Sequence, residues 1–493
     1  MSYTRKVVRR SGLLLVFSVL ASVVAYGTRV VLARGLGPEQ YGLFTAVFTF
    51  VIFFLFFRDW GFDVSLVKHI TDFLVAKKYD EIKTAIVWTY SVQFVISLLF
   101  GVVFFLAAPW LGEHYFKNPQ AVFLLKVMCW YVVSSLLFLV LKNIFQAFQK
   151  SVLYSSIDFA KNIVVLMIVG VGFYFGLGVW SVVWAYVFVG PILFLLYALP
   201  LFRSFAFFKY NVLREGKIFR QISVFAIPIF FSSVGGSVIA YVDTLFLTYF
   251  RSLAEVGVYN VVLPTAMVFL FFSSSLNSVL FPLVAELRAK NDLRRLKEGL
   301  KLAHRYTFLV ILPVLLSFLV FGYDFLRLFF GEAYVSGTMA FQILLIGVLF
   351  YTVASINNMT ITATGKPRQV TKIILISALI NGGLNLLLIP RYGIVGAAWA
   401  TFVGYLFVLW ASTREVTKIF SIRFPVRDWL ILTGLGVVFW VSAMTMREMF
   451  ILPVWLSVFI IVPLSLGLYL GLAYLFGVLD LKEIKYYARL VRN

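Results

Sequence analysis

The chain has 493 residues, 62% of them hydrophobic and only 13% charged, where a soluble globule carries about a quarter charged residues. With a mean hydropathy of +0.97, a water-soluble fold is excluded. The net charge of +22 would point to nucleic acid in a soluble protein. Here the basic residues flank apolar runs, where anionic lipid attracts them, so nucleic acid is set aside as a partner.

Fourteen apolar runs long enough to cross a bilayer follow one another. The first, 11–33, comes after Arg5, Lys6, Arg9 and Arg10. It exceeds the roughly 7–15 apolar residues of a signal peptide and reads as a transmembrane helix. A second run, 41–57, is followed by residues 62–82, which mix apolar and charged positions at helical spacing, as an interfacial amphipathic helix does. Runs at 84–108, 120–141, 152–174 and 179–201 complete six. Residues 203–220, with Arg203, Lys209, Arg214, Lys217 and Arg220, form a basic boundary. Six further runs follow at 221–250, 257–282, 303–322, 337–360, 371–389 and 393–413, with a second candidate surface helix at 286–305. The last two are 429–446 and 452–476. All are apolar on every face, which suits helices and not the alternating strands of a barrel.

Polar chemistry is sparse. Cys129 is the single cysteine, which leaves no intrachain disulfide and no cysteine metal site. His69, His114 and His304 fall in separate connections and read as solvated surface residues. Thr364-Gly365-Lys366-Pro367 lacks the earlier glycine and the Ser/Thr of a phosphate loop, so ATP binding is rejected. No cofactor, metal or catalytic constellation is expected.

Lys and Arg collect in every second connection. Of the 43, 34 fall in the N-terminal, even-numbered and C-terminal segments, counting Arg305 and Lys372 at the edges of their spans, six in odd-numbered loops, and three (Arg29, Lys126, Lys161) within spans. By the positive-inside rule the chain crosses a cell membrane many times with both termini in the cytoplasm.

An internal repeat divides the chain. At an offset of 215, Tyr41-Gly42-Leu43-Phe44 falls on Val256-Gly257-Val258-Tyr259, Asn143 on Asn358, Gly178 on Gly393, and Trp184-Ala185 on Trp399-Ala400. The repeat unit holds six helices, an even number, so both copies share one orientation and a pseudo-two-fold axis along the membrane normal is expected. The expected organisation is an N-lobe at 1–210, a C-lobe at 211–420, and two added helices with a tail at 421–493. Two facing lobes of this kind suit alternating access, and transport is the default reading. A membrane-embedded glycan enzyme would need a large outer loop bearing catalytic residues, whereas the outer loops are short.

Charges inside spans cost roughly 2.5–3.5 kcal/mol each on insertion scales. Ser18, Ser22, Tyr26 and Arg29 share one face of the first helix. That stripe reads as a cavity wall, or else Arg29 snorkels to the headgroups. Asp243 lies deep in the seventh span and corresponds to Thr28 in the repeat, so Arg29 and Asp243 could pair in one state and part in another. Arg58, Lys126, Lys142, Asp158 and Lys161 are all in the N-lobe, and a cationic lobe suits an anionic ligand such as a phosphate or pyrophosphate. Asp158 and Lys161, three apart, also read as a local ion pair. Lys142 and Arg58 read equally as positive-inside anchors.

Leu32-Ala33-Arg34-Gly35-Leu36-Gly37-Pro38-Glu39-Gln40-Tyr41-Gly42-Leu43-Phe44 resembles the signature of the polysaccharide-flippase branch of the multidrug/oligosaccharidyl-lipid/polysaccharide (MOP) exporter superfamily. Asp59-Trp60-Gly61-Phe62-Asp63, Asn143-Ile144-Phe145-Gln146-Ala147-Phe148 and Ala254-Glu255-Val256-Gly257-Val258-Tyr259 are similar more loosely. The resemblance implies an all-α polytopic membrane protein: fourteen transmembrane helices, two pseudo-symmetric six-helix lobes in a V, and two C-terminal helices. It implies a flippase carrying a polyprenyl-linked oligosaccharide to the outer leaflet for surface polysaccharide assembly. Arg29, Arg58, Lys142 and Lys161 would bind the headgroup; Asp243 and Asp158 would gate or couple. H+ or Na+ is the implied coupling ion, and a glycan polymerase or glycosyltransferases are implied partners. A lipid II-type flippase, a drug/cation antiporter of the same superfamily and a non-transporting scaffold stay open as alternatives.

Overall fold

The computed structural model describes residues 3–213, 216–422, 424–450 and 453–480, with side chains from residue 16 onward except Ser232. Among the described residues the fold is helical throughout, with no strand. Helices α1 (Tyr3–Asp59), α2 (Phe62–Val75), α3 (Tyr79–Trp110), α4 (Pro119–Ala147), α5 (Ser151–Tyr174), α6 (Val179–Ser204) and α7 (Gly216–Phe250) come first. They are followed by α8 (Leu253–Met267), α9 (Leu270–Ala289), α10 (Leu293–Phe330), α11 (Thr338–Ala363), α12 (Pro367–Phe420), α13 (Val426–Met449) and α14 (Val454–Leu475). Twelve helical segments are long and apolar enough to cross a membrane. The chain forms two compact units, Met1–Asn260 and Val261–Asn493.

Several elements differ from the sequence expectation. The first two runs merge in α1, broken only at Gly37 (φ 71°, ψ 171°), with Pro38 next. Runs eleven and twelve merge in α12 and break at Gly393 (φ 55°, ψ −132°). Run eight is divided into α8 and α9 by a turn at 268–269, four residues past Pro264. The surface helix expected at 286–305 does not form as a separate element. Those residues are the ends of α9 and α10, which turn at Asn291 (φ 55°), and Asp292 caps α10 by accepting from Arg295 N at 3.1 Å.

The amphipathic helix is present as α2. Phe62, Leu66, Ile70 and Phe73 point inward at helical spacing. It packs beside α7, where Lys68, Lys217 and Arg220 rim a groove floored by Phe225, Pro228 and Ile229. His69 is turned into this contact and buried, its Nδ1 donating to Ser65 O at 2.8 Å. His304 is buried within α10. Of the three histidines expected at the surface, only His114 is exposed; the other two lie on helix faces that packing covers.

Lipid tails are as apolar as leucine, so burial alone does not drive these helices together; close packing and interhelical hydrogen bonds do. In the first unit α4 is central, touching α1, α2, α3, α5 and α6. In the second α11 is central, against α9, α10 and α12. These helices are counterparts at the 215 offset, and each buries 67% of its apolar window. Asn162 Nδ2 ties α5 to Ala21 O of α1 at 2.9 Å. In the second unit, His304 Nε2 meets Asn357 Oδ1 at 3.0 Å while Asn357 Nδ2 donates to Thr413 Oγ1 at 3.0 Å. Asn385 donates to Asn381 Oδ1 and Asn381 to Thr401 Oγ1, closing the two halves of α12 on each other. Helix α13 is held to α10 by Arg447, which pairs with Asp324 and donates to Val320 O, both at 2.6 Å.

Candidate functional site

The polar stripe of α1 is open within the first unit: Ser18 and Ser22 are exposed, and Tyr26 and Arg29 half-buried. Ser22 Oγ satisfies itself on Ser18 O at 2.8 Å. Beyond the Gly37 break the chain doubles back, which brings Tyr41 to Arg29. The guanidinium acts electrostatically on Tyr41 and on Tyr186 of α6. Phe48 packs with tilted rings against Tyr186, at 4.5 Å between ring centroids, and Tyr131 of α4, at 5.9 Å.

Arg58 stands at the other end of this aromatic group, in electrostatic contact with Tyr131. It is only 3% exposed. Its Nη1 donates to Val132 O at 2.9 Å and to Ser135 Oγ at 2.8 Å on α4. Asp59 and Asp63 supply the countercharge. Asp59 Oδ1 accepts from Asp63 N at 3.0 Å and from Gln93 Nε2 at 3.1 Å, and Gln93 is itself buried. Arg29 and Arg58 are therefore joined through Tyr41, Tyr186, Phe48 and Tyr131. Arg29 faces the open stripe and Arg58 is built into the helix packing.

Lys142, Asp158 and Lys161 gather on adjoining faces of α4 and α5. Lys142 Nζ meets Asp158 Oδ2 at 2.6 Å and lies 5.3 Å from the centre of the Tyr154 ring. The local pairing of Asp158 with Lys161 is replaced by this interhelical pair; Lys161 sits 6.0 Å over the Phe138 ring. The reason is geometric. Lys142 reaches the carboxylate from α4, while the Lys161 ammonium is directed across to Phe138, also on α4.

Asp243 is 1% exposed, and its Oδ2 accepts from the buried Tyr259 hydroxyl at 2.6 Å. One residue on, Thr244 Oγ1 donates to Asn260 Oδ1 at 3.3 Å, so α7 and the start of α8 are joined by two adjacent polar contacts. The residues that sequence reasoning missed are Tyr41, Tyr131, Tyr186, Asp59, Asp63, Gln93 and Tyr259. Tyrosines are ordinary in so aromatic a chain, and only the Tyr41 and Tyr259 positions within the repeated motif carried a signal.

No group of three or more His, Cys, Asp or Glu that could hold a metal occurs among the described residues. The arrangement offers a guanidinium and ammonium groups to an anion, without a nucleophile–base pair.

The pattern of the family described as "Polysaccharide biosynthesis protein" matches residues 7–288, and that of MatE matches residues 228–387. A membrane protein of Methanocaldococcus jannaschii is 27% identical over 99% of this chain and 98% of its own length. The Probable low-salt glycan biosynthesis flippase of Haloferax volcanii is 25% identical over 39% of this chain and 41% of its own. Among solved structures, a lipid II flippase in its inward closed conformation shares the fold. Its TM-score is 0.76 at 16% identity, covering 94% of this chain and 100% of that one.

Proposed function

Because the chain belongs to the polysaccharide biosynthesis protein family of the MOP superfamily, we propose that it flips a polyprenyl-(pyro)phosphate-linked oligosaccharide from the cytoplasmic to the outer leaflet. The observation that carries this reading is Arg29, a half-buried guanidinium on an unpacked polar helix face, beside Tyr41. A planar, permanently charged fork matches phosphate oxygens. Lys142 and Lys161 add positive charge, with Asp158 spacing them, and Arg58 holds the aromatic support in place. Asp243 is the gating or coupling group, exchanging its Tyr259 partner as the protein cycles with H+ or Na+.

The chain makes fourteen crossings in this reading. Helices α1 and α12 each supply two, α8 and α9 together supply one, and α2 lies at the cytoplasmic surface. Both termini are then cytoplasmic and the membrane is the cell membrane. Lobes at 1–210 and 211–420 alternate access, with 421–493 added at the side, and the product feeds a polymerase or glycosyltransferases.

The test is reconstitution in liposomes carrying a fluorescent polyprenyl-pyrophosphoryl sugar, with an impermeant glycosidase reporting arrival at the far leaflet. Rapid exposure that Arg29→Ala slows roughly 10- to 100-fold is expected. Absence of exposure under any imposed ion gradient would overturn the reading, and activity confined to a peptidoglycan precursor would reassign the headgroup.

A further inference from the structure

A lysine lies inside an apolar pocket on the first unit whose lining includes none of the residues of the proposed headgroup site. The pocket, about 970 Å³, is walled by α3, α4 and α6, at the upper end of the usual size for a small-molecule site. Lys126 is the one charged residue of its lining. Its ammonium lies 5.1 Å from the centre of the Phe105 ring, and it takes part in no ion pair among the described residues.

A cation held in a transmembrane helix is retained against a cost of a few kcal/mol and calls for an anionic counterpart. A ring face offsets only about 0.5–2 kcal/mol. Among the described residues no carboxylate lines the pocket, which leaves the place of a counter-anion to a ligand.

The pocket's shape says what kind. Lys126, Trp130, Val133 and Leu137 follow one face of α4, and the axis advances about 16 Å from Lys126 to Leu137 at 1.5 Å per residue. That is close to half of the ~30 Å hydrocarbon core, the depth of a single leaflet. Trp130 and Phe123 leave the trough open on the side away from the helices, at 69% and 56% exposed. One end is cationic, the rest is apolar, and the side is open. A free phosphate would leave the trough empty, and an organic cation would meet Lys126 with like charge.

We infer that this pocket is a binding site for one anionic phospholipid of the surrounding bilayer, its phosphate on Lys126 and one acyl chain along α4 between Phe105 and Leu137. The lipid covers the apolar trough and neutralises the lysine, so the first unit is complete only in a membrane that contains anionic lipid.

The test uses the full chain in phosphatidylcholine vesicles with a trace of photoactivatable lipid, its diazirine in the acyl chain. The headgroup is either phosphatidylglycerol or phosphatidylcholine, and labelled peptides are mapped. Labelling of residues 123–137 is expected to favour the phosphatidylglycerol probe about fivefold, the preference one lysine supplies. Lys126→Ala abolishes the preference, Lys126→Arg keeps it, and labelling of α14 residues 454–475 is equal in all three proteins, which reports that each is folded. Equal labelling by the two probes in the unaltered chain, or a preference that survives Lys126→Ala, would overturn the site. Displacement of the probe by polyprenyl phosphate but not by excess unlabelled phosphatidylglycerol would also overturn it, giving the pocket to an isoprenoid chain instead.

Discussion

Gly42 and Gly257, matched at the 215-residue offset, face each other within the first unit. A Cβ on Gly42 would run into Leu253 O and Gly257 N; a Cβ on Gly257 would run into Pro38 O and Gly42 N. The contact is reciprocal, as a two-fold relation between the repeated motifs would make it. It is backbone against backbone, so no side-chain rotation can relieve an added methyl. Gly42→Ala and Gly257→Ala are each expected to cost about 1–3 kcal/mol or more, read as a lowered melting temperature of the detergent-purified chain. Gly27→Ala, which meets nothing within 4 Å, serves as the comparison, and equal melting of all three would dismiss the contact.

Arg29 and Arg58 should separate in their phenotypes. Arg29 faces an open stripe, so Arg29→Ala is expected to leave melting nearly unchanged. Flipping should fall roughly 10- to 100-fold, the worth of a charge-assisted hydrogen bond. Tyr41→Phe should lower flipping less, since it removes a neighbouring hydroxyl and not the charge.

Arg58 is buried against α4 with Asp59 and Asp63 beside it. Removing one member of a buried charged set costs about 3–5 kcal/mol. Arg58→Ala is therefore expected to reduce folded protein on size-exclusion chromatography before any transport defect can be measured. Normal yield with a pure loss of flipping would instead place Arg58 in the headgroup site.

For Asp243, a double-mutant cycle with Tyr259 is the direct measure. Tyr259→Phe leaves a buried carboxylate short of a donor and should destabilise by about 1–3 kcal/mol. Asp243→Asn with Tyr259→Phe should cost less than the two single changes added together. Strict additivity would mean that the 2.6 Å contact contributes nothing of its own.

The Arg447–Asp324 pair fastens α13 to α10. Arg447→Ala is expected to cost about 1–3 kcal/mol, since the aspartate is nearly buried while the arginine is partly solvated. Exchanging the two charges should recover part of the loss. Limited proteolysis near residue 450 is a sensitive readout, with faster cleavage expected in the single variant alone.

Long apolar helices, the amphipathic α2 and the repeat were legible because each depends on local properties. Hydropathy over about 20 residues decides whether a segment prefers lipid, and a backbone need at one position recurs in both copies. Gly178 (φ 52°, ψ −131°) and its match Gly393 (φ 55°, ψ −132°) adopt one conformation that side chains resist. The positions of Arg29 and Asp243 were visible for the same reason, since a charge in an apolar run stands out wherever the helix turns.

What each charge touches was decided only by tertiary structure. Asp158 takes Lys142 across to α4 and not the lysine on its own helix. Arg58 disappears into α4, two of three histidines are buried, and Tyr41, Tyr186 and Tyr131 connect two arginines 29 positions apart in the chain. A helix apolar on all sides carries no mark of its rotation about its own axis. Each residue's direction, about 100° from its neighbour's, is therefore settled only when the helices pack.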